Sequence, residues 1–166
     1  MNLRLAVLWA AMGLVGVVLG GCGGGESFDG TRDDSGAIVE AGDVRVNAVR
    51  IGDCFNDSAP AGEVDESVVV VLAVPCVEPH DNEAFHLGSL VDGEFPGVEA
   101  VKGQVFEACV TQFESFVGMN YDESSLDVAY IYPSAASWGE GDRGFVCAVY
   151  DLDKAKLTGT MRGSGV

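Results

Sequence analysis

Apolar and polar residues alternate with period two from Val44 to Ile51, which predicts a half-buried strand ending at Gly52-Asp53. Val68 to Val74 is instead a continuous β-branched run stopped by Pro75, the pattern of a central strand buried on both faces. Ala84 to Leu90 predicts a third strand before the turn residues Asp92-Gly93. The period then changes. From near Pro96, the residues Val101, Val105, Cys109, Phe113 and Phe116 recur at spacings of three and four, so one face of a helix is apolar, with Gly118 as its stop. Asp127 to Tyr132, closed by Pro133, and Gly144 to Tyr150 return to strand patterning. A last short strand is expected over Lys156 to Met161, with Gly163-Ser164-Gly165 leaving the domain. No internal repeat is visible. Strands, one main helix, then strands again predict an α+β domain: an antiparallel or mixed sheet with the helix packed on one face.

The first residues follow another logic. A single basic residue, Arg4, leads an apolar segment from Leu5 to Leu19, and Leu19-Gly20-Gly21-Cys22 follows directly. This resembles a bacterial lipoprotein signal peptide with its lipobox, and the apolar run is short for a membrane span, which needs about 20 residues. The resemblance implies cleavage before Cys22 and a diacylglycerol on its sulfur, acyl chains such as palmitate holding the chain at the extracytoplasmic face of the cell membrane. Two chains suffice for stable anchoring, since each buried methylene contributes about 0.8 kcal/mol. Residues 23–43, beginning Gly23-Gly24-Gly25, are rich in Gly, Asp, Glu and Ser and offer little to a core. They read as a flexible tether of about 20 residues with a reach of roughly 25 Å. The expected organisation is a signal peptide over 1–21, the lipidated cysteine and tether over 22–43, and one folded domain over 44–166.

Charge removes whole classes of function. With 26 Asp+Glu against 9 Lys+Arg the formal net charge is -17. Such a field repels nucleic acid and anionic lipid headgroups, so nucleic acid is not an expected partner. The acids are dispersed along the chain, as solubility requires, rather than gathered into one run.

Besides Cys22 the chain holds Cys54, Cys76, Cys109 and Cys147. An even number in an exported domain predicts two disulfides, and four cysteines allow three pairings. Cys54 with Cys76 would join two strand ends across a loop, and Cys109 with Cys147 would staple the helix to the sheet; this pairing is favoured. The spacing contains no CxxC and no matching histidine pair, so neither a metal nor a cofactor is implied.

Two clusters carry candidate chemistry. Pro79-His80-Asp81-Asn82-Glu83, with His86 beyond it, holds both histidines of the chain. His80, Asp81 and Glu83 could ligate a metal or exchange a proton, but a catalytic zinc site presents three protein ligands and histidine chemistry needs an orienting partner. If Ala84 to Leu90 is a strand, His86 shares a face with Ala84 and Gly88. The structural alternative, a turn closed by Asp81 or Asn82 with His80 in a framework hydrogen bond, is favoured. In Trp138-Gly139-Glu140-Gly141-Asp142-Arg143, an aromatic ring beside an acid and an arginine is hot-spot material. Its framework alternative, again favoured, has Asp142 capping a glycine-bearing turn, Arg143 paired with an acid and Trp138 packed on the core. No nucleophile elbow, phosphate loop or HExxH motif occurs, and no catalytic residue is assigned.

Taken in order, Gly52-Asp53-Cys54-Phe55, Val74-Pro75-Cys76 with Pro79-His80-Asp81-Asn82-Glu83, Trp138 with Gly141-Asp142-Arg143 and Cys147, and Leu157-Thr158-Gly159-Thr160 resemble the septum-formation family of actinobacterial membrane proteins and lipoproteins. The resemblance spans Ile51 to Gly165. It implies an extracytoplasmic domain linked to septum formation, brings no enzymatic activity with it, and makes the cysteines and the two motifs framework features. The expected function is that of a cell-surface lipoprotein acting as a non-enzymatic binding module in septum formation or envelope assembly. Its expected partners are the membrane, through the lipid on Cys22, and division or cell-wall proteins, with His80, Asp81, Glu83, Trp138, Asp142 and Arg143 as candidate binding residues. The competing class is an envelope-directed hydrolase or metal-dependent enzyme using His80, Asp81 and Glu83.

Overall fold

A computed structural model describes residues 28–57 and 70–166. The expected signal peptide, Cys22 and the start of the expected tether lie outside the described residues, as do Val68 and Val69. Eight strands and two helices follow in chain order: β1 (Thr31–Arg32), β2 (Ile38–Glu40), β3 (Gly42–Arg45), β4 (Cys54–Asn56), β5 (Val70–Val74), β6 (Asn82–Ser89), α1 (Val98–Val117), β7 (Leu126–Ile131), α2 (Ala135–Gly139) and β8 (Gly144–Asp151). β1 and β2 form a small antiparallel pair, and the other six make one sheet in the order β3-β5-β4-β6-β8-β7. Every pairing described is antiparallel. The domain is α+β, with one main helix and two disulfides.

The apolar stripe explains the helix. Val101, Val105, Cys109 and Phe113 are fully buried and Phe116 nearly so, all from one face of α1, which lies over β6, β7 and β8. Gly118 closes the helix at φ 83°, a left-handed conformation that glycine adopts without a Cβ penalty, and its N–H donates to the Glu114 carbonyl. Phe85, Leu126, Phe145, Cys147 and Val149 complete this core. A second core forms where Ile38, Val44, Val49, Phe55, Val71, Ala84 and Val146 meet.

Both disulfides pair as the sequence favours, Cys54–Cys76 with Cα atoms 5.2 Å apart and Cys109–Cys147 at 5.5 Å. The second links α1 to β8. Each restricts the unfolded chain enough to contribute about 3 to 4 kcal/mol in the loop-entropy account.

Four expectations change. The alternating run from Val44 leaves the sheet at Arg45 and enters a short 3-10 turn, Val46–Ala48. Beyond it the buried Asp53 carboxylate accepts from the Arg50 N–H at 2.8 Å, turning the chain and leaving Ile51 48 % exposed. β5 has strands on both sides but not cover on both faces: Val71 and Ala73 are buried while Leu72 is 42 % exposed. Part of the expected tether is folded, since β1 and β2 lie within it, Ile38 is buried, and Arg32 pairs with Asp53 at 2.6 and 2.7 Å. One long-range ion pair and one apolar anchor thus order a stretch whose composition is that of a linker. Finally, Lys156 to Met161 is no strand. Leu157 makes a single bridge to His80, and Gly159 turns the chain at φ 81°.

Candidate functional site

Strand β6 positions both candidate clusters, one at each end. It starts two residues earlier than its apolar pattern suggests, so Asn82 and Glu83 belong to the sheet, with Cys54 opposite Glu83. Glu83 is 1 % exposed. Its Oε1 accepts from the Thr160 hydroxyl at 2.6 Å and its Oε2 from the Met161 N–H at 2.5 Å. A buried carboxylate is tolerated only when hydrogen-bonded, and here both oxygens are engaged by the C-terminal strap. The strap is held along its length: the Leu157 and His80 backbones exchange hydrogen bonds, the Gly159 N–H donates to the Cys76 carbonyl, and the Gly163 and Gly165 N–H groups reach the last carbonyls of α1 at Phe116 and Val117.

His80 is fully buried, with Nδ1 2.8 Å from the Glu78 carbonyl. A carbonyl only accepts, so the proton sits on Nδ1, and Nε2 is buried without a hydrogen-bond partner among the described residues. Asp81 faces outward, its Oδ1 2.7 Å from Lys156 Nζ and its Oδ2 accepting from the Asp57 N–H at 3.1 Å. Asn82 donates to Asp57 Oδ1 at 2.7 Å. Burial pushes the Asp57 carboxyl up, the Asn82 hydrogen bond opposes it, and the charge on Asp81 adds to it. Cys54 Sγ, Cys76 Sγ and a Glu83 oxygen lie within 4.8 Å of one another. Those sulfurs are joined in the disulfide and offer no thiolate to a metal.

His86 stands apart from this cluster. The β6–β8 register shifts between Ala84 and His86, a bulge that sends Ala84 to the second core and sets His86 opposite Cys147, so the expected shared face of Ala84 and His86 is broken. Gly88 carries the Phe145 ring: a Cβ there would stand 2.1 Å from Phe145 Cζ.

At the far end of β6, about 25 Å away along eight extended residues, the second cluster closes the turn before β8. Sequence patterning did not reveal α2. Ser134 caps it by accepting from the Ser137 N–H, a one-turn helix too short to show a period. Trp138, within it, is 6 % exposed and donates from Nε1 to the Gly93 carbonyl at 2.9 Å. The Arg143 guanidinium stacks 3.8 Å from that ring, pairs with Asp92 at 2.8 Å, and donates to the Trp138 and Asp142 carbonyls. Asp142 Oδ1 accepts from the Gly144 N–H. The aromatic ring that the sequence offers as a platform is packed inside the domain, and Trp138, Asp142 and Arg143 form one clasp between the β6–α1 loop and β8.

The partners of both clusters were invisible in the sequence because they lie far along the chain: Thr160 and Met161 for Glu83, Asp92 and Gly93 for Arg143 and Trp138. So was Asp127, which accepts from the Tyr121 and Tyr150 hydroxyls at 2.6 and 2.7 Å. Burial raises its carboxyl, but these two bonds and one from the Val128 N–H outweigh it and hold Asp127 below the usual range. Burial and the Asp127 hydrogen bond push Tyr121 up to about 12, and raise Tyr150 as well.

Both clusters, and the strap as far as Ser164, fall inside the stretch, residues 51–164, that matches the family described as septum formation. The chain belongs to the septum-formation family. Membership links it to septum formation. The match starts after β3, so β1, β2 and β3 precede the segment that defines the septum-formation family. No curated protein and no solved structure matches the chain.

Proposed function

We propose that this chain is a lipoprotein, anchored by acyl chains on Cys22 at the extracytoplasmic face of the cell membrane, whose domain serves septum formation by binding division or cell-wall proteins without catalysing a reaction. The observation that carries the binding reading is the commitment of the polar side chains: both Glu83 oxygens, Asp81 and the Arg143 guanidinium hold backbone or ion-pair partners of the fold. Two disulfides support an oxidising compartment. Phe28, where the described domain begins, follows Cys22 by about six residues, a span of at most roughly 20 Å. The domain is therefore kept close to the membrane surface.

The test is in-cell crosslinking of the tagged full chain, followed by mass spectrometry, beside a Cys22→Ser variant and a labelled palmitate analogue. The expected outcome is label on the wild type alone, and capture of one or more division or cell-wall proteins that falls when the anchor is removed. A turnover activity on envelope material, abolished in a folded His80→Ala variant, would overturn the binding reading in favour of a hydrolase or metal-dependent enzyme. Label on Cys22→Ser equal to wild type would overturn the anchor.

A further inference from the structure

The two disulfides stand in different settings. Cys109–Cys147 is fully buried and joins α1 to the sheet. Cys54–Cys76 joins β4 to the end of β5, two strands already paired through Cys54 opposite Val74, Phe55 opposite Ala73 and Asn56 opposite Leu72. That ladder keeps the strands in register without help from the bond, so the bond can open without parting the sheet. Cys54 is fully buried, but Cys76 is half-buried on a turn closed by the Glu78 N–H on the Pro75 carbonyl, and the next residue, Val77, is 80 % exposed. One sulfur is therefore within reach of an attacking thiolate while the other is sheltered, which directs exchange to a single sulfur.

The surroundings also hold partners for the thiols that opening creates. The Gly52 carbonyl is 3.4 Å from Cys76 Sγ, within hydrogen-bond range for sulfur. A disulfide sulfur has no hydrogen to donate, so this acceptor is used only when Cys76 is a thiol. A Glu83 oxygen lies within 4.8 Å of both sulfurs, and a carboxylate beside the buried Cys54 favours the neutral thiol over the thiolate there. Partners that serve only the dithiol stabilise the reduced state, and that is what makes a disulfide readily reducible.

The same residues hold the middle of the C-terminal strap. The Gly159 N–H donates to the Cys76 carbonyl at 2.6 Å, and Glu83 accepts from the Thr160 hydroxyl and the Met161 N–H. With the bond open, an S–H on either cysteine competes with those two donors for the Glu83 oxygens, and the Cys76 turn, no longer tied to β4, holds its carbonyl less firmly on Gly159. The flanks of the strap have supports of their own. Leu157 is buried and its backbone pairs with His80, and the Gly165 N–H donates to the Val117 carbonyl at the end of α1. Opening therefore loosens residues 159–161 and leaves both flanks seated.

We propose that Cys54–Cys76 is an exchange site for a dithiol, and that its reduction loosens the strap over Glu83. A thiolate of the dithiol attacks Cys76 Sγ to form a mixed disulfide, and the S–S electron pair leaves on Cys54 Sγ, which takes up a proton. The second thiol, losing its proton, attacks the dithiol's own sulfur in the mixed disulfide and expels Cys76 as a thiolate, which is protonated in turn. Two electrons and two protons pass to the cysteines, and the dithiol leaves as its disulfide. This site goes beyond the binding function proposed above and depends on neither the lipid anchor nor a septal partner.

The test titrates the detergent-solubilised full chain with dithiothreitol at neutral pH, maps quenched samples by alkylation, and follows amide hydrogen exchange. Over a range of reductant, the Cys54 and Cys76 thiols are expected to be free while Cys109–Cys147 stays closed and circular dichroism is unchanged. In that state exchange at Gly159 and Met161 is expected to rise about tenfold, with Gly165 and the amides of α1 and β8 unchanged, and oxidised dithiothreitol is expected to restore the slow rates. The double variant Cys54→Ser, Cys76→Ser keeps two donors without the bond and is expected to show the same pattern with no reductant; if it does not fold, the half-reduced wild type decides. Opening of both bonds together with loss of structure would overturn the proposal. So would slow exchange at Gly159 and Met161 in the half-reduced chain, an equal rise at every amide, or failure of oxidised dithiothreitol to close the bond.

Discussion

Glu83 brings a carboxylate into a site that is 1 % exposed, and two hydrogen bonds from the strap compensate its desolvation. Glu83→Gln can keep its carbonyl on the Met161 N–H and turn its amide toward the Thr160 oxygen, which can accept, but two bonds to a carboxylate become neutral ones and buried amide or hydroxyl hydrogens are left without an acceptor, a cost of about 1 to 3 kcal/mol. Destabilisation of that size is expected in urea melts, together with faster hydrogen exchange at Gly159, Met161 and Gly163. Unchanged exchange at those amides would show that Glu83 does not hold the strap. The residue types in this cluster were legible from the sequence as polar and interesting, but their role was not, because Thr160 stands 77 positions beyond Glu83. Trp138 and Arg143 make the same point. Their types suggested either an interface or a packed clasp, and only the contact with Gly93 and Asp92 separates the two.

Among the elements, α1 was the most legible, since its stripe depends on local periodicity and its end on a single glycine. β8 and β7 were read to within a residue or so at each end for similar reasons. The last expected strand failed because alternation over a few residues cannot distinguish a paired strand from a strap held by scattered hydrogen bonds to several elements. The Asp127 network joins elements that patterning treats separately: Tyr121 from the 3-10 turn after α1, Asp127 from β7 and Tyr150 from β8. Burial first, and then the Asp127 hydrogen bond, push Tyr121 up to about 12 from an ordinary value of about 10. A raised folded value means that its contribution to stability is complete below about pH 10 and is lost as pH rises toward 12. Absorbance titration is therefore expected to show late tyrosinate formation coinciding with loss of near-ultraviolet dichroism, and Tyr121→Phe should remove part of this alkaline transition. Asp127 acts in the opposite sense. Its lowered carboxyl stabilises above its unfolded value of about 3.9, and that contribution falls away in acid.

For the molecule as a whole, two disulfides of about 3 to 4 kcal/mol each are large beside the 5 to 15 kcal/mol that typically separates a folded domain from its unfolded chain. They differ in access. Cys109 and Cys147 are fully buried, whereas Cys54 is buried and Cys76 is half-buried at the surface. A thiol reductant is expected to open Cys54–Cys76 first, with global unfolding following the second bond; timed alkylation with peptide mapping, run beside circular dichroism, checks the order, and earlier alkylation of Cys109 or Cys147 would contradict it. Composition and periodicity by themselves determined the acidic character, the main helix with its buried face, most of the strands, and the four cysteines that close in two pairs. These are properties of short stretches of chain, set by side-chain type and backbone period. Only the tertiary structure decided that the N-terminal hairpin folds against Asp53, that a bulge parts Ala84 from His86, that Glu83 anchors the C-terminal strap, and that Phe106 meets Tyr121 and Tyr130. Each depends on which distant residues packing brings within a few ångströms, and no local pattern encodes that.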